Sequence, residues 1–236
     1  MEDMYKYLSR VVHDIRTPMS TIIGMTEVAR ASLDDTAKIR GCLDKINISS
    51  NHLMTLINEI IDISKIENSH FSLNQENLNL YDTISDIILL IQPQIDLKDQ
   101  SLSVSISDIR HADVIGDGRR MQQCFLNFLT NSVKYTQKGG SIGISVFEEE
   151  KERDRSSLYK FVFEDDGRGM QPEFIEHIFE PFSRELQTPC EIPGSGLGMA
   201  IARSIVDMMG GTIDIESRPG VGSKFTVTVR MPWQPV

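Results

Sequence analysis

Apolar side chains recur at helical spacing along the first 69 or so residues. Leu8, Val11, Ile15, Met19, Ile22, Thr26 and Ala29 follow steps of three and four, and Ile39, Cys42, Ile46, Leu53, Leu56, Ile60 and Ile63 repeat them. The polar run Ser32-Leu33-Asp34-Asp35-Thr36 separates the two series. This pattern predicts a helical hairpin with an apolar stripe on each arm. Two helices alone bury too little surface to stand by themselves. The hairpin is therefore either half of an intrachain bundle or one half of a four-helix bundle made by two chains.

Beyond Glu76 the period changes. Leu102 to Ser107, Ser141 to Phe147, Leu158 to Glu164, Thr212 to Glu216 and Lys224 to Val229 alternate apolar and polar, as strands do. Leu80 to Leu97, Arg119 to Gln137 and Gly196 to Met209 have helical spacing. Strands and helices mixed in this order predict an α+β two-layer sandwich, with helices on one face of a sheet. The organisation expected is a hairpin at 1–69, a linker at 70–79 within the polar stretch Glu67 to Asn79, and a second domain at 80–236. The charged run Glu148 to Ser157 reads as a solvated hairpin tip and nothing more.

Composition narrows the choices. The chain has 236 residues, 40% of them apolar and 25% charged, with a net charge of −10. That excess of acid argues against nucleic acid, whose backbone asks for a basic patch. It leaves nucleotides open, because a metal ion and backbone N–H groups can meet a phosphate's charge. Cys42, Cys124 and Cys190 are too scattered for a disulfide framework or a zinc site, so a reducing, cytoplasmic setting is expected. No apolar run reaches the roughly 18 residues of a membrane span, so no membrane contact is expected of this stretch. The abrupt helical start suggests a piece of a longer protein that could be anchored elsewhere.

Three glycine-rich segments stand out: Asp165-Asp166-Gly167-Arg168-Gly169-Met170 after a strand, Gly194-Ser195-Gly196-Leu197-Gly198 before a helix, and Gly220-Val221-Gly222-Ser223 between two strands. Glycine lets backbone approach a phosphate, and a helix start presents free N–H groups to an anion. Each alone reads equally well as a turn. Asn127 and Asn131 lie four apart on one helix face. Asparagine is a poor helix former, and its amide oxygen suits Mg²⁺. Lys134 and Tyr135 occupy the next turn.

In this order the segments resemble the ATP-binding domain of histidine kinases, the Bergerat or GHKL type shared with type II topoisomerases, Hsp90 chaperones and mismatch-repair ATPases. Gln123 to Tyr135 is similar to the N box, Asp165 to Met170 to the G1 box, Phe179-Glu180-Pro181-Phe182 to the F box, and Gly194 to Gly198 to the G2 box. The resemblance implies that Asp165 accepts the adenine amino group and that Asn131 binds Mg²⁺ with Asn127 near the phosphates. It also implies that Lys134 touches phosphate and Tyr135 packs near the base. Gly167 and Gly169 would shape the adenine pocket. Gly194, Gly196 and Gly198 would close a mobile lid over the triphosphate, the lid being roughly Ser183 to Pro193, where Cys190 lies, and Leu197 would also belong to the nucleotide site. Hydrolases of the superfamily carry a Glu where this chain has Asn127, which favours a kinase over an ATPase, since water then has no positioned base.

Of five histidines, His13 has distinctive neighbours: Val12-His13-Asp14-Ile15-Arg16-Thr17-Pro18-Met19. An imidazole attacks through one ring nitrogen when an acceptor holds the proton on the other, and Asp14 is adjacent. Thr17 lies one turn away, Pro18 should bend the helix, and Arg16 is either solvated or meets an acidic partner surface or phosphate. This stretch resembles the H box of the dimerisation and phosphotransfer domain of sensor histidine kinases, and its wording is most similar to hybrid kinases. The resemblance implies a homodimeric four-helix bundle with His13 as phosphoacceptor. ATP and Mg²⁺ would be the cofactors, and an aspartate on the receiver domain of a response regulator the next acceptor. Thr17 would orient water for phosphatase action on that partner. A nucleotide-gated ATPase clamp without histidine phosphorylation, and a phosphatase-dominant signalling module, are the competing readings.

Overall fold

The structure is a computed structural model and describes residues 2–67, 72–153, 155–183, 185 and 195–233. The chain divides into two compact units, Met1–His70 and Phe71–Val236. No described helix is long and apolar enough to cross a membrane.

The first unit is a hairpin of α1 (Glu2–Arg30) and α2 (Thr36–Glu67). Asp35 starts α2 by accepting the Lys38 N–H at 3.0 Å, which satisfies one of the N–H groups a helix start leaves free. Pro18 sits inside α1, buried. Cys42, Leu56 and Ile63 of α2 are buried as the predicted stripe requires, but Met19 and Thr26 of the α1 series are exposed. A second apolar stripe, of which the sequence pattern contains only Met19, faces outward. Val12, Met19 and Ile23 on α1, and Leu43, Met54, Ile57 and Ile61 on α2, are all exposed. At 3.6 residues per turn each set falls within a window of about 60° around its helix. The α2 set points away from Cys42, Leu56 and Ile63, so α2 is apolar on two sides.

The second unit has a five-stranded sheet in the order β2-β4-β5-β7-β6 and a two-stranded ribbon of β1 and β3. β1 is Glu76–Asn79, β2 Ser101–Ser107, β3 Asp113–Gly116, β4 Ser141–Arg153, β5 Ser156–Asp165, β6 Thr212–Arg218 and β7 Gly222–Pro232. β2 runs parallel to β4, and the other sheet neighbours are antiparallel. Helices α3 (Leu80–Leu97), α4 (Gly118–Tyr135) and α6 (Gly198–Met208) match the predicted ones within a few residues, and α5 (Pro172–Ile175) is a single turn.

Alternation explains the layers. Ile142, Ile144 and Val146 on β4, Tyr159, Phe161 and Phe163 on β5, and Phe225, Val227 and Val229 on β7 are buried on one face. Phe125 and Phe128 of α4 pack there. The Phe125 ring lies 4.6 Å from Phe161, and the Phe128 ring 5.3 Å from Phe163 and 5.2 Å from Phe225.

Two expectations change. Glu76–Asn79, within the stretch read as linker, pairs antiparallel with Asp113–Gly116 and so belongs to the second unit. Glu148 is no solvated tip: its side chain is 6% exposed. Its carboxylate accepts the backbone N–H groups of Arg110 (2.7 Å) and His111 (2.9 Å) and pairs with His111 Nδ1 (2.7 Å). Burial pushes its pKa up, but these bonds and one from Ser157 outweigh it and hold the group below its ordinary value.

Candidate functional site

On α1, the His13 Nδ1 lies 3.1 Å from Asp14 Oδ1, and the ring is 77% exposed. With Asp14 holding the Nδ1 proton, Nε2 keeps its lone pair. The Thr17 hydroxyl donates to the His13 carbonyl at 3.2 Å. It therefore shares the His13 turn, although its proton is turned to the backbone. Pro18 has no N–H to offer the Asp14 carbonyl, so α1 is weakened one residue past the histidine.

In the second unit, α4 carries most of the polar side chains in question. Asp117 caps its start by accepting the Arg120 N–H at 2.9 Å. Its far end is gripped by two residues that the sequence reading passed over. Lys98 Nζ donates to the carbonyls of Val133 (2.7 Å), Lys134 (3.0 Å) and Thr136 (3.2 Å), and Gln100 Nε2 to those of Val133, Thr136 and Gln137. Burial lowers the Lys98 pKa.

The two asparagines differ. Asn127 Nδ2 donates to the Gly198 carbonyl at 2.8 Å, joining α4 to the start of α6. A Cβ on Gly198 would come within 3.2 Å of Asn127 Oδ1, so glycine permits the approach. Asn131 is half-buried and its amide makes no hydrogen bond among the described residues. No group of three or more His, Cys, Asp or Glu among the described residues could hold a metal. The uncommitted Asn131 oxygen thus fits an ion that takes few protein ligands and completes its shell with water and phosphate, as Mg²⁺ does.

Asp165 ends β5 and is buried. Its carboxylate accepts the Ser132 hydroxyl (2.9 Å) and the Gly167 N–H (3.0 Å). Burial raises its pKa, opposed by these bonds and one from the Ser223 N–H, while the Asp166 charge adds to the rise. Ser132 was not singled out from sequence. Its signal is its position, four residues after Phe128 and so on the buried face of α4. A Cβ on Gly167 would lie 2.7 Å from Asp165 Oδ1, and one on Gly169 only 1.9 Å from the Arg218 carbonyl. Gly169 also has φ +65°, so both the space and the backbone require glycine there.

Lys134 Nζ and Arg168 Cζ lie 4.8 Å and 4.9 Å from the centre of the Tyr135 ring. Arg168 is also paired with Glu185, Nη2 to Oε2 at 2.6 Å. Gly196, at φ +74°, accepts the Phe182 N–H at 3.0 Å. Leu197 turns its side chain into the core beside these glycines. Its side chain is 1% exposed and its N–H is held by Ser195 Oγ, so it is a core anchor for α6. Gly194 and Cys190, with most of the expected lid, lie outside the described residues.

Residues 4–69 match the family described as His Kinase A (phospho-acceptor) domain, and residues 116–232 the Histidine kinase-, DNA gyrase B-, and HSP90-like ATPase family. The chain belongs to the sensor histidine kinases. It is 34% identical over 225 residues to Hybrid signal transduction histidine kinase B of Dictyostelium discoideum, covering 94% of this chain and 11% of that protein. It is 30% identical over 224 residues to the autoinducer 2 sensor kinase/phosphatase LuxQ of Vibrio vulnificus, covering 94% of this chain and 26% of that protein. The kinase chain thus spans about a quarter or less of the length of these relatives. Among solved structures it resembles histidine kinase ThkA in complex with the response regulator protein TrrA, at a TM-score of 0.68 and 25% identity over 95% of this chain and 61% of that one.

Proposed function

We propose that this chain transfers the γ-phosphoryl group of Mg·ATP to Nε2 of His13 and passes it to an aspartate on a receiver domain. The bond from Pγ to the bridging oxygen breaks, the Nε2–P bond forms, and ADP leaves. Asp14 holds the Nδ1 proton and balances the positive charge that develops on the ring. The observation that carries this reading is the 3.1 Å pair between His13 Nδ1 and Asp14, on a chain whose second unit belongs to the nucleotide-binding family.

Asp165 accepts from the adenine amino group, with Ser132 and Gly167 fixing its carboxylate. Gly167 and Gly169 keep the pocket floor clear, and Tyr135 packs on the base. Lys134 reaches phosphate by swinging from the Tyr135 ring. A magnesium ion on Asn131 would neutralise charge on the triphosphate. Asn127, Gly196 and Gly198 line the phosphate end. The Asn127 amide has no basic site and is tied to Gly198, which supports transfer over hydrolysis.

The hairpin at 1–69 pairs with a second copy through its outward stripes. The phosphotransfer partner is a response regulator, as in the complex formed by ThkA. Thr17 also supports removal of phosphate from that partner, an activity carried in the name of LuxQ. A cytoplasmic setting suits both reactions.

The test is incubation with γ-labelled ATP and Mg²⁺. Wild type should take up acid-labile label, and His13→Ala none. Acid-labile label that persists in His13→Ala overturns the assignment.

A further inference from the structure

Arg168 is the one side chain between Gly167 and Gly169, and its surroundings are unusually determined. Its backbone N–H donates to the Tyr135 carbonyl at 3.3 Å, and its carbonyl accepts the Gly220 N–H at 2.7 Å. The residue is therefore fixed to the end of α4 and to the β6–β7 turn before its side chain does anything. The guanidinium then reaches back over the Tyr135 ring, its Cζ 4.9 Å from the ring centre.

Glu185 holds it there. One carboxylate oxygen takes Arg168 Nη2 at 2.6 Å, and the other accepts the Gln171 N–H at 3.0 Å. Both oxygens are committed, so the carboxylate has little freedom to turn. The Glu185 side chain is 11% exposed and that of Arg168 29%, so solvent screens this pair less than a surface one. A charge-assisted bond of this length is among the stronger kinds. A cation over an aromatic face is attracted by the ring, more strongly when the pair is desolvated. The Tyr135 ring, at the last turn of a helix, is thereby held from the side that carries the G1 segment.

We propose that Arg168 and Glu185 are positioning residues for nucleotide binding. Glu185 fixes the Arg168 guanidinium over Tyr135, and Arg168 holds the Tyr135 ring in the orientation that packs on the base. The proposal rests on the reading of Tyr135 and Asp165 as the base-binding residues. It adds a partner for Tyr135 from within the G1 segment, Arg168, and an anchor for that partner, Glu185, from outside the glycine boxes.

The chemistry distinguishes this role from a plain ion pair. A carboxylate is repelled by the face of an aromatic ring, whereas a cation is attracted. Reversing the pair therefore restores the salt bridge but not the contact with Tyr135.

The experiment measures ATP and Mg·tripolyphosphate binding to the whole chain by competition against a fluorescent ATP analogue, together with His13 phosphorylation and the thermal midpoint. Glu185→Ala should weaken ATP about three- to tenfold and leave tripolyphosphate, which has no base, unchanged. Phosphorylation at saturating ATP should stay within about twofold, so that the change falls on KM. Glu185→Gln, which keeps an acceptor for Gln171, should fall between. The double variant Arg168→Glu/Glu185→Arg should recover the thermal midpoint without recovering ATP affinity. Recovery of both, or equal losses for ATP and tripolyphosphate, overturns the proposal. So does an unchanged ATP affinity in Glu185→Ala. If wild type binds no ATP, the reading of the site itself fails.

Discussion

In the second unit, Phe161 and Phe163 of β5 meet Phe125 and Phe128 of α4 inside one chain. In the hairpin, Val12, Met19, Leu43, Met54, Ile57 and Ile61 stay exposed on a stripe of their own. One unit closes an aromatic core between its own sheet and helix, and the other leaves an aligned apolar stripe in the open. Their polar chemistry follows the same division. Asp165 is buried, held by Ser132 and Gly167, and shifted in pKa by that burial. His13 is in the open, and among the described residues its ring is held by its sequence neighbour Asp14. A pocket that must select a ligand needs a finished core around it. A side chain that must be presented to other domains needs the reverse.

The widest separation between the units should appear on truncating the aromatic core. Phe163→Ala should destabilise the ATP-binding unit by about 3–5 kcal/mol and leave the hairpin's own unfolding step in place. Circular dichroism at 222 nm beside near-ultraviolet melting would follow the two units separately, and a single shared loss would show that they do not fold independently.

The reverse substitution is Ile57→Glu on the exposed stripe. With two copies per dimer and about 1.5 kcal/mol or more lost per buried side chain, self-association measured by sedimentation should weaken about a hundredfold, with ATP affinity unaffected. A dimer of undiminished strength would place the contact elsewhere.

The smallest effect concerns Asp165. A carboxyl whose folded pKa is raised gives stability that is fully present below its unfolded pKa and is lost as pH rises through the folded value. At neutral pH the ionised form therefore works against folding. Asp165→Asn should melt at the same or a higher temperature while binding ATP about tenfold more weakly. In the wild type, ATP affinity should begin to fall, on acidification, at a higher pH than an ordinary aspartate allows. Titration calorimetry across pH, next to melting curves, reads both, and a variant that loses stability along with affinity would make Asp165 a structural residue.

Long periodic segments were legible. Every strand read from alternation is present, and α3, α4 and α6 begin and end within two or so residues of their predicted limits. Repeats over seven or more residues average out local exceptions. β1 and β3 have four residues each, and Glu-Asn-Leu-Asn offers no alternation to read. The outward stripe of α2 was hidden by the stronger inward one. Glu148 reads from sequence as solvated charge, and Glu185 carries no signal there, because their partners, His111 and Arg168, lie 37 and 17 residues away. Asn127 and Asn131 could be placed on one face by spacing, but only the bond to the Gly198 carbonyl tells them apart. That Leu197, between two glycines, sends its side chain into the core could not be read from its place in the segment.

The bond between His13 and Asp14 joins residues next to each other on one helix. It is carried by α1 and by nothing else. A signal that rotates or tilts the helix moves acceptor and base as one body, and so cannot turn the reaction on or off by parting them. Such a signal changes only what the pair faces. On the proposed reading of His13, the histidine is a preset tool on a shaft, and only the direction of the shaft is left for a signal to set.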